Sequence, residues 1–175
     1  MSSAPMPSHR RYGRALLATI LSSRTADLPA DLALIAVRTA LAWIFIYYGA
    51  GKLFGWFNGL GIHRTALYFS HTAHLHPGEF FAVLGGVVEF GGGIALALGL
   101  GARLAGIALF GDMVMAMITV TWANGINSES LTPGYELNMA LGVLALVIAV
   151  FGAGRFSIDA LAKRRIAGVG AWPAS

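Results

Sequence analysis

The stretch from Phe80 to Leu100, FFAVLGGVVEFGGGIALALGL, decides the fold. It is apolar throughout except for one carboxylate, Glu89, near its middle. Its length matches the ~20 residues that a helix needs to cross ~30 Å of hydrocarbon. At helical spacing Gly85 and Gly93 stand one turn either side of Glu89, and Gly86 and Gly92 lie three residues before and after it. All four therefore share the acid's face. A face of glycines admits a neighbouring backbone, which is how helices associate in lipid, where apolar burial alone drives no packing. The acid is expected to point into a tight protein interior. An ionisable group at that depth is costly and signals function, with a partner elsewhere in the chain.

Composition agrees. Of 175 residues 57% are hydrophobic and only 11% charged, against roughly 25% charged in a soluble domain. Together with several long apolar runs, this predicts an integral membrane protein with one transmembrane domain. The net charge of +4 does not point to nucleic acid, because most basic residues cluster in tails beside apolar spans, the pattern of cytoplasmic flanks facing anionic lipid. There are no cysteines, which excludes disulfides, thiolate metal sites and cysteine nucleophiles within this chain.

Residues 1–30 read as a basic tail with Arg10, Arg11, Arg14 and Arg24. The run from Ala15 to Leu21 is too short to span and suits a short interfacial helix better than a signal-peptide core. The first span opens near Pro29 with Asp27 as a cap and Asp31 in its first turn, and is apolar from about Leu32 to Phe54. It contains Arg38 and, two heptads later, Lys52 on roughly the same stripe. A more polar connection follows over 58–78, then the Phe80–Leu100 span. Gly99 and Gly101 mark a turn short enough to force an antiparallel return. The third span, about Arg103 to Trp122, carries Asp112; the fourth, about Tyr135 to Phe151, begins with Glu136 and Asn138. The expected fold is therefore all-α, a polytopic four-transmembrane-helix antiparallel bundle over 31–154. Residues 155–175 form a basic cytoplasmic tail. Counting Lys and Arg near span ends places both termini in the cytoplasm.

At ~1.5 Å of rise per residue, Arg38 lies roughly 10 Å above Asp31, Glu89 roughly 16 Å above Leu100 and Asp112 roughly 14 Å above Arg103. This predicts an Arg38–Glu89–Asp112 cluster near the midplane, and a shallower outer pair of Lys52 with Glu136. One reading of the cluster is structural, a set of ion pairs joining helices. The other is functional: two neighbouring carboxylates titrate as a coupled pair, and a protonatable acid beside a fixed cation suits a quinone headgroup or a proton path. His63, His71, His74 and His76 offer nitrogen ligands in the 58–78 connection, but their spacing matches no metal signature and no metal site is assigned. No span contains a histidine, which argues against haem. Met113, Met115 and Met117 read as core filler.

Several of these residues together resemble one known family. They are Arg38, Gly49-x-x-Lys52-Leu53, Glu89-x-x-Gly92-Gly93, Gly99-Leu100 with Arg103, Gly134-x-Glu136, and Gly152 to Asp159 (GAGRFSID). In order and spacing, over about 32–160, they resemble the DoxX family; Ala153 stands where that family usually has proline. The resemblance implies a small four-helix inner-membrane protein, with relatives described as subunits of quinone-linked oxidoreductases or of oxidative-stress complexes. It also implies that the polar motif consists of Arg38, Lys52, Glu89, Glu136, Arg155 and Asp159. Arg155 and Asp159 form an i,i+4 pair if the tail stays helical, or Ser157 caps a short amphipathic helix carrying Lys163, Arg164 and Arg165.

The functional expectation is a multi-pass inner-membrane subunit of a quinone-linked redox complex, with a quinone or proton site at Arg38, Glu89 and Asp112. It is not self-sufficient for electron transfer, and no catalytic residue is named. Its expected partners are membrane lipids and a soluble or membrane redox protein, with oligomerisation left open. The alternatives are a non-catalytic scaffold that recruits a redox partner, and a small-molecule transporter.

Overall fold

A computed structural model describes residues 28–126 and 133–169. The expected interfacial helix over 15–21 and the Asp27 cap lie outside the described residues. Among the described residues all regular structure is helical. Helix α1 spans Leu28–Phe54, α2 Gly61–His71, α3 Gly78–Leu98, α4 Ala102–Ala116, α5 Glu136–Phe151 and α6 Ile158–Val169. A single 3-10 turn, Trp56–Asn58, links α1 to α2. Helix α4 does not stop at Ala116: it widens into a π-turn over Met117–Thr121 and tightens again over Trp122–Asn124.

Three of these helices are long and apolar enough to cross a membrane: Leu28–Phe54, Gly78–Leu98 and Ala102–Asn124, of 27, 21 and 23 residues. Helix α5 is apolar but has 16 residues, a length of about 24 Å. Large apolar side chains such as Trp43, Leu104, Ile107 and Val143 stand on the outer surface, where a lipid-facing protein puts them.

Glycine sets the helix register. Helix α1 packs most extensively against α3, and α4 against α5. A Cβ on Gly49 would run into the backbone of Phe90, and one on Gly93 would sit 2.9 Å from the Ile46 nitrogen and 3.1 Å from the Ala42 oxygen. A Cβ on Gly106 would lie 2.7 Å from the Ala145 oxygen. Without those Cβ atoms the backbones touch, and dispersion contacts replace the apolar driving force that lipid removes. The seam is filled by Leu41, Phe45, Leu96, Leu109 and Ile148, all fully buried.

The 58–78 connection is more ordered than its polarity suggests. Helix α2 lies against α3, close enough that a Cβ on Gly78 would overlap the Ala66 carbonyl and the Ser70 hydroxyl. Its four-histidine character hid it, because the histidines occupy its exposed side and the turn beyond it, while Thr65 is buried.

At the Gly99–Gly101 turn both glycines are left-handed, with φ of 65° and 57°. Asp159 clamps that turn: its backbone N–H donates to Gly99 O (3.0 Å), and its carboxylate accepts from the N–H groups of Gly101 (2.8 Å) and Ala102 (3.2 Å). Its carboxylate thereby caps the start of α4 from a distant part of the chain, satisfying amides that have no intrahelical partner.

Candidate functional site

The antiparallel register of α1 and α3 puts Glu89 level with the stretch between Gly49 and Lys52. Glu89 is 3% exposed. The Lys52 ammonium donates to its Oε1 at 2.7 Å. On the other side α4 brings Asp112 to the same level, where a Cβ on Gly85 would lie 3.6 Å from Asp112 Oδ1. The two carboxyl groups are close enough to each other and to Lys52 for their charges to interact. The glycine face foreseen around Glu89 thus serves two neighbours. Gly86 and Gly93 meet α1, while Gly92 meets Leu109 of α4.

The cluster is one cation against two acids, as anticipated, but the cation is Lys52 rather than Arg38. Arg38 lies eleven residues before Gly49, roughly 16 Å lower along α1, beyond the reach of its own side chain. It is level instead with the α3–α4 turn, where its guanidinium donates to Ala153 O (2.7 Å) and Phe156 O (2.9 Å). The depth count failed because α1, at 27 residues, runs past that turn on the side of its N-terminus. Arg38 therefore sits at the edge of the bundle and not at its middle. Nor does Lys52 pair with Glu136, which is exposed at the start of α5.

Arg155 and Asp159 do not pair either, since α6 begins only at Ile158. The Arg155 N–H donates to Asp31 Oδ1 at 3.0 Å, and its Nε lies 3.7 Å from Asp31 Oδ2. Ser157 holds the intervening turn, donating to Gly154 O (2.8 Å) and accepting from Ala160 N–H (3.2 Å), so it caps α6. Asp31, Arg38, Ser157 and Asp159 are all buried. Together with Arg155 they form a staple that fixes the segment after α5 to α1 and to the α3–α4 turn.

The outer cluster differs in having space beside it. A cavity of about 470 Å³ is lined by Lys52, Gly85 and Asp112, and otherwise mostly by apolar side chains including Phe69, Phe81, Val88 and Met115. The π-turn supplies Thr119, Val120 and Thr121 to its wall, and such widened turns recur at functional sites. Thr121 is held in place by Asn138, whose amide donates to its hydroxyl at 3.1 Å. Glu89 Oε2 and Asp112 Oδ2 are buried and receive no donor among the described residues. An orphaned buried acceptor is expensive, so Asp112, which together with Lys52 lines the cavity, marks a place where a ligand's donor belongs, while Glu89 stays off the wall and is held by Lys52. Neither the π-turn nor the cavity has a signature in the sequence.

Among the described residues no three of His, Asp and Glu are grouped as metal ligands. His63, His71, His74 and His76 are exposed.

No curated protein and no solved structure matches the chain. A family model does match, over residues 33–122, just over half of the 175 residues. That span contains the whole of the Lys52–Glu89–Asp112 cluster, whereas Arg155 and Asp159 of the staple lie beyond it. With that match, and with three helices fit to cross a bilayer, the chain is an integral, multi-pass membrane protein of the DoxX family.

Proposed function

We propose that this protein is a membrane subunit of a quinone-linked oxidoreductase system, and that Lys52, Glu89 and Asp112 form its quinone site. The observation that carries this reading is a mostly apolar cavity whose wall holds Lys52 and Asp112, Asp112 with a buried carboxylate oxygen lacking a donor among the described residues and the Lys52 ammonium 2.7 Å from Glu89. A quinone ring is apolar and planar, with an acceptor oxygen in its oxidised form and a hydroxyl donor in its reduced form. Lys52 is the donor that a carbonyl requires and the Asp112 carboxylate the acceptor that a hydroxyl requires, with Glu89 bonded to Lys52 behind them. When bound, the quinone supplies two-electron, two-proton chemistry. The electrons come from a partner protein, since the chain has no cysteine and no histidine in its three spanning helices. Glu89 and Asp112 take up or deliver the protons, and Lys52 balances the negative charge that remains.

In this reading α5 completes a four-helix transmembrane bundle in the inner membrane, with both termini cytoplasmic and the staple at the cytoplasmic end. A second reading, a non-catalytic anchor for a redox partner, draws on α6, whose Lys163, Arg164 and Arg165 are exposed. Quinone extraction from the purified protein separates the two. The redox reading expects bound quinone in the wild type and, in both Glu89→Gln and Asp112→Asn, at least a fivefold loss of azidoquinone label on the acid-cavity residues Phe81, Met115 and Val120, with helicity unchanged by circular dichroism. Quinone-free wild type holding a specific protein partner would establish the anchor instead.

A further inference from the structure

A second cavity, of about 330 Å³, adjoins the first on its outer side. The two share Lys52, Tyr68 and Phe69 as a common wall. Beyond that wall the second cavity is lined by Tyr47, Tyr48, Trp56, Phe57 and Thr65, with the Gly51–Gly59 contact behind. Aromatic residues at the end of a spanning helix are what an interfacial belt supplies. A belt needs neither a hollow nor a constrained backbone, and this region has both.

Phe57 and Asn58 are consecutive non-glycine residues in the left-handed region, with φ of 56° and 63°, a conformation that surrounding contacts must enforce. The contacts are present. Tyr47 and Phe57 stack at 4.9 Å with planes 16° apart, and the Tyr47 hydroxyl donates to Phe57 O at 3.4 Å. A Cβ on Gly59 would overlap the Gly51 backbone. The turn is thus pinned so that its rings line a concave surface.

Thr65 adds a polar group. It is 3% exposed, it lines the cavity, and its hydroxyl has no hydrogen-bond partner among the described residues. A threonine in a helix ordinarily satisfies its hydroxyl on a carbonyl one turn back; this one does not. An aromatic box alone suits a cation. Lys52 in the same wall rejects one, leaving a neutral planar ring with an acceptor oxygen.

We propose that this aromatic cavity is a second quinone-binding site, distinct from the acid cavity and separated from it by Lys52, Tyr68 and Phe69. Its ring stacks among Tyr48, Trp56 and Phe57, and Thr65 Oγ1 donates to a ring carbonyl. The ligand class rests on the quinone reading of the acid cavity; the existence of a second ring site rests on the aromatic geometry.

Photolabelling of the purified full-length protein with a short-chain azidoquinone, mapped by peptide mass spectrometry, tests it. The proposal expects label on Tyr48, Trp56 or Asn58 as well as on Phe81, Met115 or Val120. In Thr65→Val the first set falls about fivefold, as the loss of one neutral hydrogen bond implies, while the second set is unchanged; Thr65→Ser restores it. Label confined to the second set overturns the second site and leaves the acid cavity standing. Label confined to the first set upholds it and overturns the quinone reading of the acid cavity. Label on neither set overturns both, and labelling unaffected by Thr65→Val overturns the role of the hydroxyl.

Discussion

The two ends of this bundle each bury charge, and they do so in opposite ways. In the staple, Arg38 spends its guanidinium on two backbone carbonyls, Asp159 spends its carboxylate on two amides, and Asp31 takes the amide and side chain of Arg155. Charge there is mostly converted into chain–chain hydrogen bonds, with neither cavity beside it, although Arg38 Nε has no acceptor among the described residues. In the Lys52 cluster the ammonium holds Glu89, yet one oxygen of each acid is left without a donor among the described residues, and Asp112 and Lys52 border a cavity. The difference teaches how to separate architecture from function in a membrane interior, where both kinds of residue look equally conspicuous in sequence. A charge whose partners are supplied by the fold stabilises it. A charge with unmet hydrogen-bonding capacity, beside space, is available to a ligand.

Three experiments press on that contrast. The largest effect belongs to the staple: Arg38→Met strands the Ala153 and Phe156 carbonyls and leaves the segment after α5 untied. It is expected to lower stability by about 3–5 kcal/mol, the usual result of removing one member of a buried charged network. Thermal or SDS unfolding measures this, and the protein that remains folded should keep its quinone. A loss of quinone without a loss of stability would move Arg38 into the site.

Next comes the helix contact that aligns the outer cluster. Gly93→Ala forces a methyl against the α1 backbone and is expected to cost about 1–3 kcal/mol by overpacking. Gly91→Ala, with nothing within 4 Å of its Cβ, should be tolerated in the same assay. Equal behaviour of the two would mean that α1 and α3 are not in the contact described.

The smallest change in stability is expected from the triple variant Lys52→Met, Glu89→Gln and Asp112→Asn. Replacing every member of a buried charged cluster is often close to neutral, so unfolding should shift by no more than about 1 kcal/mol while the acid cavity loses its quinone. If instead the triple variant unfolds as readily as Arg38→Met, this cluster is a second staple and the contrast dissolves.

Parts of the site were readable in the sequence because they depend on local periodicity. Glu89 and its four glycines share a face by helical spacing alone. The common depth of Glu89 and Asp112 follows from counting away from the tight turn at Gly99 and Gly101, which joins their two helices and so fixes their relative height. No such turn joins α1 to α3, and there the count misled. Arg38 was placed opposite Glu89, where the Gly49–Phe90 and Gly93–Ala42 contacts put Lys52 instead. The sequence reads as a polar connection over α2, because His63, Arg64 and His71 break its apolar run and His74 and His76 follow it, while the residues that bury it are the small Thr65 and Ala66 and its contact with Gly78.

What the sequence determined by itself was the material of each helix: which segments are long and apolar, where glycine removes bulk, which few charges are buried among them. Those properties act within one segment, over a few residues, and hydrocarbon length and helical pitch suffice to read them. Which charge meets which was decided only when the helices settled against one another. Sliding one helix by about four turns past its neighbour exchanges a lysine for an arginine opposite the same acid, and that register is a sum of backbone contacts at glycines far apart in the chain. The cavities have the same origin, being the spaces that the settled helices leave unfilled.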